Sequence, residues 1–340
     1  MLIFGRNIVL LLVGFVIAAV LIGGSQGGVN PTKPNPTPAP APTESSLSWA
    51  EVLEQNPDPK IVTNADFLKR IAETKLPWRV KDKASGIEML LVPPGKFMMG
   101  KSLGDTAAID WEKPAHQVTI TNAFYLGRTE VTQLQWMKVM GKNPSRFQEW
   151  SSASREDLIS KSNKDGNATL EVQENLDTNL EKLGKLLTEN YPVETISWDD
   201  CQKFCEKTGL KLPTEAQWEY ACRAGVDKPT YGKLDQIAWF REDSGNSTHP
   251  VAEKAPNALG FYDMLGNVWE WCHDWLDVDY YRSCEDGVVD PTGPSKGKYR
   301  LLRGGGWNGY FNHCRASKRG GNSPDFIIFA GHGLRVARTP

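Results

Sequence analysis

The stretch DMLGNVWEW (263–271) decides how this chain is read. It packs Trp269 and Trp271, the carboxylates of Asp263 and Glu270, and Gly266 into one short run. Two readings compete. Val268, Trp269 and Trp271 could be plain core, with Asp263 and Glu270 as surface charges. Alternatively the two carboxylates flank a tight turn at Gly266 and hold a hard cation. Ca²⁺ takes six to eight oxygens and mixes carboxylates with backbone carbonyls. Spacing alone leaves both open.

The rest of the chain has ordinary globular composition. It has 340 residues, 40% hydrophobic and 24% charged, with a formal net charge of −2. That size suits one large domain or two small ones, and that charge gives no nucleic-acid surface. With 31 Gly and 12 Trp, the composition points to a loop-rich fold held by large aromatic anchors.

The N-terminus reads as a membrane segment, residues 1–24. Arg6 is the only charge before the apolar run 8–22. With Gly23 and Gly24 the run would span about 25 Å as a helix, a little under a ~30 Å hydrocarbon core. A cleaved signal would leave the chain secreted; an uncleaved anchor would tether it. The sequence IGGSQGG (22–28) offers no A-x-A site, which favours the anchor. Either way the bulk of the chain is expected outside the cytoplasm, with Arg6 inside.

Residues 25–48 form a Pro-rich linker. PTKPNPTPAPAPTESS (31–46) favours extended polyproline II and a semi-rigid spacer. Residues 49–76 read as a short helical flank, with Asn64 capping a helix over 65–74. The main domain is expected over 77–338. IEMLLVPPGKFMMG (87–100) reads as strand, Pro-Gly turn, strand, and HQVTITNAFYLGRTEVT (116–132) alternates as a strand. Three helices carry start and stop signals: Thr132 with Gln135 up to Gly141, Ser197 to Gly209, and Thr214 with Gln217 to Gly225. Between the first two lies a polar insertion, 149–190, with Leu176, Leu180, Leu183 and Leu187 at helical spacing. It reads as an amphipathic surface segment or a partner-docking arm.

GFYDMLGNVWEW resembles the signature of the formylglycine-generating enzyme, or sulfatase-modifying factor, family. MLLVPPGKFMMG, HQVTITNAFYLGRTEVTQLQW, YPVETISWDDCQKFC, GLKLPTEAQWEYACRAG, LLRGGGWN, HCRASKR and GLRVAR agree with it in order, over roughly 77–338 apart from the insertion. The resemblance implies an α+β, C-type-lectin-like fold that is loop-rich, with short strands and a few helices. It also implies a structural calcium ion, held at Asp263 and Glu270 by side chain and at Gly266 and Val268 by carbonyl. The family's second calcium position matches Asn246, but its acidic companion matches Ala252.

Members that make formylglycine resemble one another in a cysteine pair that binds copper(I). Soft thiolates select that ion. Here the matching interval is GGGWNGYFNHCRASKR, and Asn308 through Asn312 contain no Cys. Copper chemistry is therefore not supported, and the five scattered His give no iron or zinc pattern. Cys314 resembles a structural Cys of the wider family, with Cys222 as its expected disulfide partner. Cys272, next to the WEW motif, is expected to be a buried hydrophobe rather than a nucleophile.

A ligand pocket is expected between the WEW loop and residues 303–325, lined by Trp269, Trp307, Asn308, Arg315, Arg319 and Asn322. Aromatic walls with Asn and Arg donors suit a polypeptide or small polar ligand. Arg315 and Arg319 could instead anchor loop carbonyls and carboxylates. Two functions follow: an oxidoreductase-like modifying factor with unusual chemistry, or a non-catalytic lectin-like binding module.

Overall fold

The computed structural model describes residues 47–147, 188–327 and 330–340. The expected membrane segment, nearly all of the linker and nearly all of the 149–190 insertion lie outside the described residues. Among the described residues no helix is long and apolar enough to cross a membrane.

Three small sheets and a few helices surround one core. The first sheet is antiparallel throughout, in the order β1 (Ala50–Glu54), β2 (Arg79–Asp82), β3 (Glu88–Val92), β6 (Phe124–Gly127), β12 (Ala337–Arg338). The second joins β4 (Gly95–Met99), β5 (His116–Ile120) and β8 (Val288–Val289). The third runs β10 (Gly320–Asn322), β9 (Tyr299–Arg303), β7 (Trp269–Leu276), β11 (His332–Leu334), with β11 parallel to β7. The architecture is the α+β, loop-rich one expected.

Two expectations are corrected. The flank 49–76 is not merely helical, because its first part is β1, an edge strand of the first sheet. Its helix α1 (Ala65–Thr74) does form, with Asn64 Oδ1 accepting from the Asp66 and Phe67 N–H groups. Phe67 and Ile71 enter the core, so this segment belongs to the domain. The alternating run 116–132 is not one strand either. It breaks at 121–123, and its halves β5 and β6 go to different sheets. β3 and β4 divide in the same way around Pro93 and Pro94.

The helix signals hold. Capping boxes start α2 (Gln133–Met140) at Thr132, α3 (Trp198–Thr208) at Ser197 and α4 (Glu215–Arg223) at Thr214. Gly141 and Gly209 close the first two in the left-handed conformation, and Ala224 closes the third. Trp78, Trp218, Trp271, Tyr125 and Phe204 are fully buried, so large aromatics do fill the centre.

Candidate ligand face and the buried acidic turn

The turn in DMLGNVWEW is built by three left-handed residues: Asp263, Gly266 and Asn267. Only glycine fits at 266, because a Cβ there would lie 2.4 Å from the Trp239 carbonyl oxygen. The turn then feeds β7, whose side chains alternate. Glu270 is buried, while Trp269 is only half-buried.

Asp263 and Glu270 are not surface charges. Both are buried, and Glu130 lies beside them. Glu130 accepts from Val268 N–H at 3.1 Å and Asn267 Nδ2 at 2.8 Å, which ties the turn to the segment before α2. Glu270 accepts from Arg335 Nη2 at 2.8 Å and Nε at 3.0 and 3.1 Å, and from Trp218 Nε1 at 2.7 Å. Burial pushes Glu130 well above the usual carboxylate range, with Asp263 and Glu270 adding to the shift. Burial likewise raises Asp263 to about 6.

Asp263 Oδ2 accepts from the Ala252 N–H, but Oδ1 is buried without a hydrogen-bond partner, an orphaned acceptor suited to a cation. Glu270 does not fit the role. Arg335 and Trp218 already use both its oxygens, so it serves as an ion-pair partner. Among the described residues no group of His, Cys, Asp and Glu side chains converges as a metal centre.

The expected pocket residues divide into two groups. Arg315 and Arg319 do not line a pocket and are corrected here; both are buried and point inward. Arg315 bonds Glu112 through Nη1 at 2.6 Å and Nη2 at 2.8 Å, and reaches Asp105 at 2.7 Å. Arg319 grips Glu215 at 2.7 and 3.0 Å. Glu215 and Glu219 sit one turn apart on α4. Arg303 pairs with Glu219, and Arg223 adds a bond to Glu219 at 2.8 Å. This buried ionic ladder was not foreseen. Its signal was the four-residue spacing of Glu215, Glu219 and Arg223 within GLKLPTEAQWEYACRAG.

Trp307 and Asn308 directly follow Gly306, and Asn322 follows Gly320 on β10; both glycines lie against the Trp269 ring. A Cβ at Gly306 or Gly320 would meet the Trp269 ring at 3.1 or 3.0 Å, so two backbone segments press on this indole. Trp307 N–H donates to the Asn267 carbonyl at 2.7 Å, and its Nε1 to the Ala330 carbonyl at 2.6 Å. Phe147 meets the Trp307 ring edge-on at 5.0 Å. Asn308 and Asn322 are half-buried, and Asn322 lies two residues along β10 from Gly320, on the same side of the strand. His313 was missed. It is half-buried, 6.2 Å from the Trp269 ring, with burial, Lys318 and Arg315 holding its pKa below the ordinary value. Tyr310 and Phe311 next to it are exposed. Arg241 covers the Tyr310 ring at 4.7 Å.

All six cysteines are buried thiols, so the expected Cys222–Cys314 disulfide is not formed. Burial pushes Cys314 and Cys222 up to about 12 and Cys272 well above its ordinary range. Cys272 is buried, as the sequence led us to expect.

Residues 73–340 match the family of the sulfatase-modifying factor enzyme 1-like domain. The formylglycine-generating enzyme of Streptomyces coelicolor is 32% identical over 266 residues, covering 69% of this chain and 84% of that protein. The serine/threonine-protein kinase pkn1 of Chlamydia pneumoniae is 31% identical over 259 residues, but the chain spans only 38% of its length. Among solved structures, Treponema denticola variable protein 1 is 26% identical with a TM-score of 0.57, over 75% of this chain and 95% of that one. With the family profile spanning everything from β2 to β12, the chain belongs to the sulfatase-modifying factor enzyme 1-like domain family.

Proposed function

We propose that this family domain recognises a polypeptide across the face formed by Trp269, Trp307, Asn308, His313 and Asn322, without copper-dependent oxidation. It stands outside the cytoplasm on an N-terminal membrane segment. The observation that carries the reading is the half-buried Trp269 ring, pressed between the Gly306 and Gly320 backbones and flanked by polar side chains and exposed aromatics. Aromatic surface with a few fixed polar groups is what peptide recognition uses.

The thiols support the non-redox half. A nucleophilic or copper-binding Cys acts as a thiolate and is reachable. Cys314 is the only Cys in the interval that follows Gly306, and it is buried with a raised pKa. Membrane attachment rests on the apolar run 8–22 and the linker behind it. A structural calcium ion at Asp263, aided by the Gly266 and Val268 carbonyls, is also proposed; the orphaned Oδ1 supports it.

Phage-displayed random peptides panned on the full chain in detergent test the recognition. Peptides should enrich on the wild type and be lost on Trp269→Ala and on Gly320→Val, which fills the space over the indole. Enrichment that survives both changes, or no enrichment at all, would overturn the reading. Stoichiometric copper in the purified chain, with oxidation of a cysteine-containing peptide, would overturn the non-redox half.

A further inference from the structure

A second concave region lies apart from the Trp269 face. It is a cleft of about 610 Å³ between α3, the 209–214 segment, β7 and the chain after β12. That volume is in the range of small-molecule sites. None of its lining residues belongs to the proposed ligand face. Phe124, Leu210, Leu212 and Ala337 give it apolar surface.

Two of its polar groups are cations, Lys211 and Arg338. Lys211 is exposed and has no carboxylate partner among the described residues. Arg338 lies over the Trp49 ring at 4.3 Å and makes only a long hydrogen bond, 3.5 Å, to the Thr208 carbonyl, with no ion pair among the described residues. Lys211 and Ala337 exchange backbone hydrogen bonds at 2.9 and 2.7 Å, so the register holds Lys211 beside the Arg338 segment. His273 adds an exposed imidazole from β7. Both Arg300 and Lys211 act on it. Gln202 Nε2 is buried with no hydrogen-bond partner. Glu206 is the one carboxylate on the lining. Two cations without ion pairs and an orphaned amide donor over apolar walls leave charge and a donor that an anionic ligand could meet.

We propose that this cleft binds a small organic anion, its apolar body against Phe124, Leu210 and Leu212 and its acidic group between Lys211 and Arg338. The test uses 1-naphthalenesulfonate as the probe and the full chain in detergent. Lys211 acetylation by acetic anhydride is followed by peptide mass mapping, with Lys228, outside the cleft, as the internal reference. The sulfonate should slow acetylation of Lys211 severalfold and leave Lys228 unchanged. Neutral 1-naphthalenemethanol and inorganic sulfate should protect far less. By calorimetry, Lys211→Gln should weaken sulfonate binding roughly tenfold, the loss of one charge-assisted hydrogen bond. Lys211 is exposed, so this change should leave the fold intact; Trp269→Ala should leave the binding intact. Absence of protection, equal protection by the alcohol or by sulfate, or unchanged affinity in Lys211→Gln would overturn the proposal.

Discussion

Arg335 on the strand-to-strand turn near the C-terminus neutralises Glu270 from β7 with three N–H···O contacts of 2.8 to 3.1 Å. Its remaining donor groups close the Gly127 and Tyr262 carbonyls at 2.9 and 2.8 Å. Removing a partner from a buried pair costs far more than the pair is worth. Arg335→Met would leave Glu130, Asp263 and Glu270 buried without that cation. The expected loss is roughly 3–5 kcal/mol in urea unfolding. A loss under about 1 kcal/mol, the scale of an exposed pair, would show that the cluster is neutral without it.

Chelation tests the ion at Asp263. A cation bound only by the native state raises the melting temperature by mass action. EGTA should therefore lower the melting temperature of the wild type, and Asp263→Asn should remove that response. An indifferent wild type would rule the ion out.

Asp274 should make stability fall as pH rises. It is fully buried, its Oδ2 accepts from the Glu215 N–H at 2.9 Å, and burial with Glu215 beside it raises its pKa to about 7 from 3.8. The folded state thus holds a proton that the unfolded state has released. The favourable contribution is complete below pH 3.8 and is lost between there and about 7, on the scale of a few kcal/mol. His332 acts the opposite way. Its pKa is lowered to about 4 by burial, so its contribution is lost as pH falls from 6.5 to 4. Comparing wild type with Asp274→Asn at each pH cancels the His332 part. The wild-type urea midpoint minus that of the variant should fall steadily as pH rises toward neutral; a constant difference would contradict the assignment.

Arg315 is held at both ends of its guanidinium by Glu112, which pins the 105–112 loop to the segment after β9. Lysine cannot reproduce the fork. Arg315→Lys should destabilise by about 1–3 kcal/mol, and a double-mutant cycle with Glu112→Gln should show coupling above ~1 kcal/mol. Additive effects would mean that the two side chains act independently.

The helices were legible because their signals are local. Thr132 with Gln135, and Thr214 with Gln217, form the reciprocal hydrogen bonds that their spacing requires. The core reading of DMLGNVWEW holds for Trp271 and fails for the two carboxylates, which are buried rather than at the surface. Trp271 is core, and Asp263 is buried with a vacant acceptor. Glu270 was misread because its partner Arg335 lies 65 residues away, beyond any periodic pattern. The same holds for Arg315 and Arg319, whose carboxylates are more than 100 residues distant. Sheet membership was illegible too. β3 and β4 read as a hairpin, but a Pro-Pro pair lets the second strand leave for another sheet.

β1 and α1 change how the gene should be cut. The family profile begins at residue 73, and the sequence suggests a boundary near 77. An expression product starting at either point would lose β1 and strip β2 of its antiparallel neighbour. It would also remove Phe67 and Ile71 from the core. The bare β2 edge would then offer unpaired N–H and C=O groups to other chains, the usual route to aggregation. Insoluble material from such a product would reflect where the gene was trimmed rather than any frailty of the native domain.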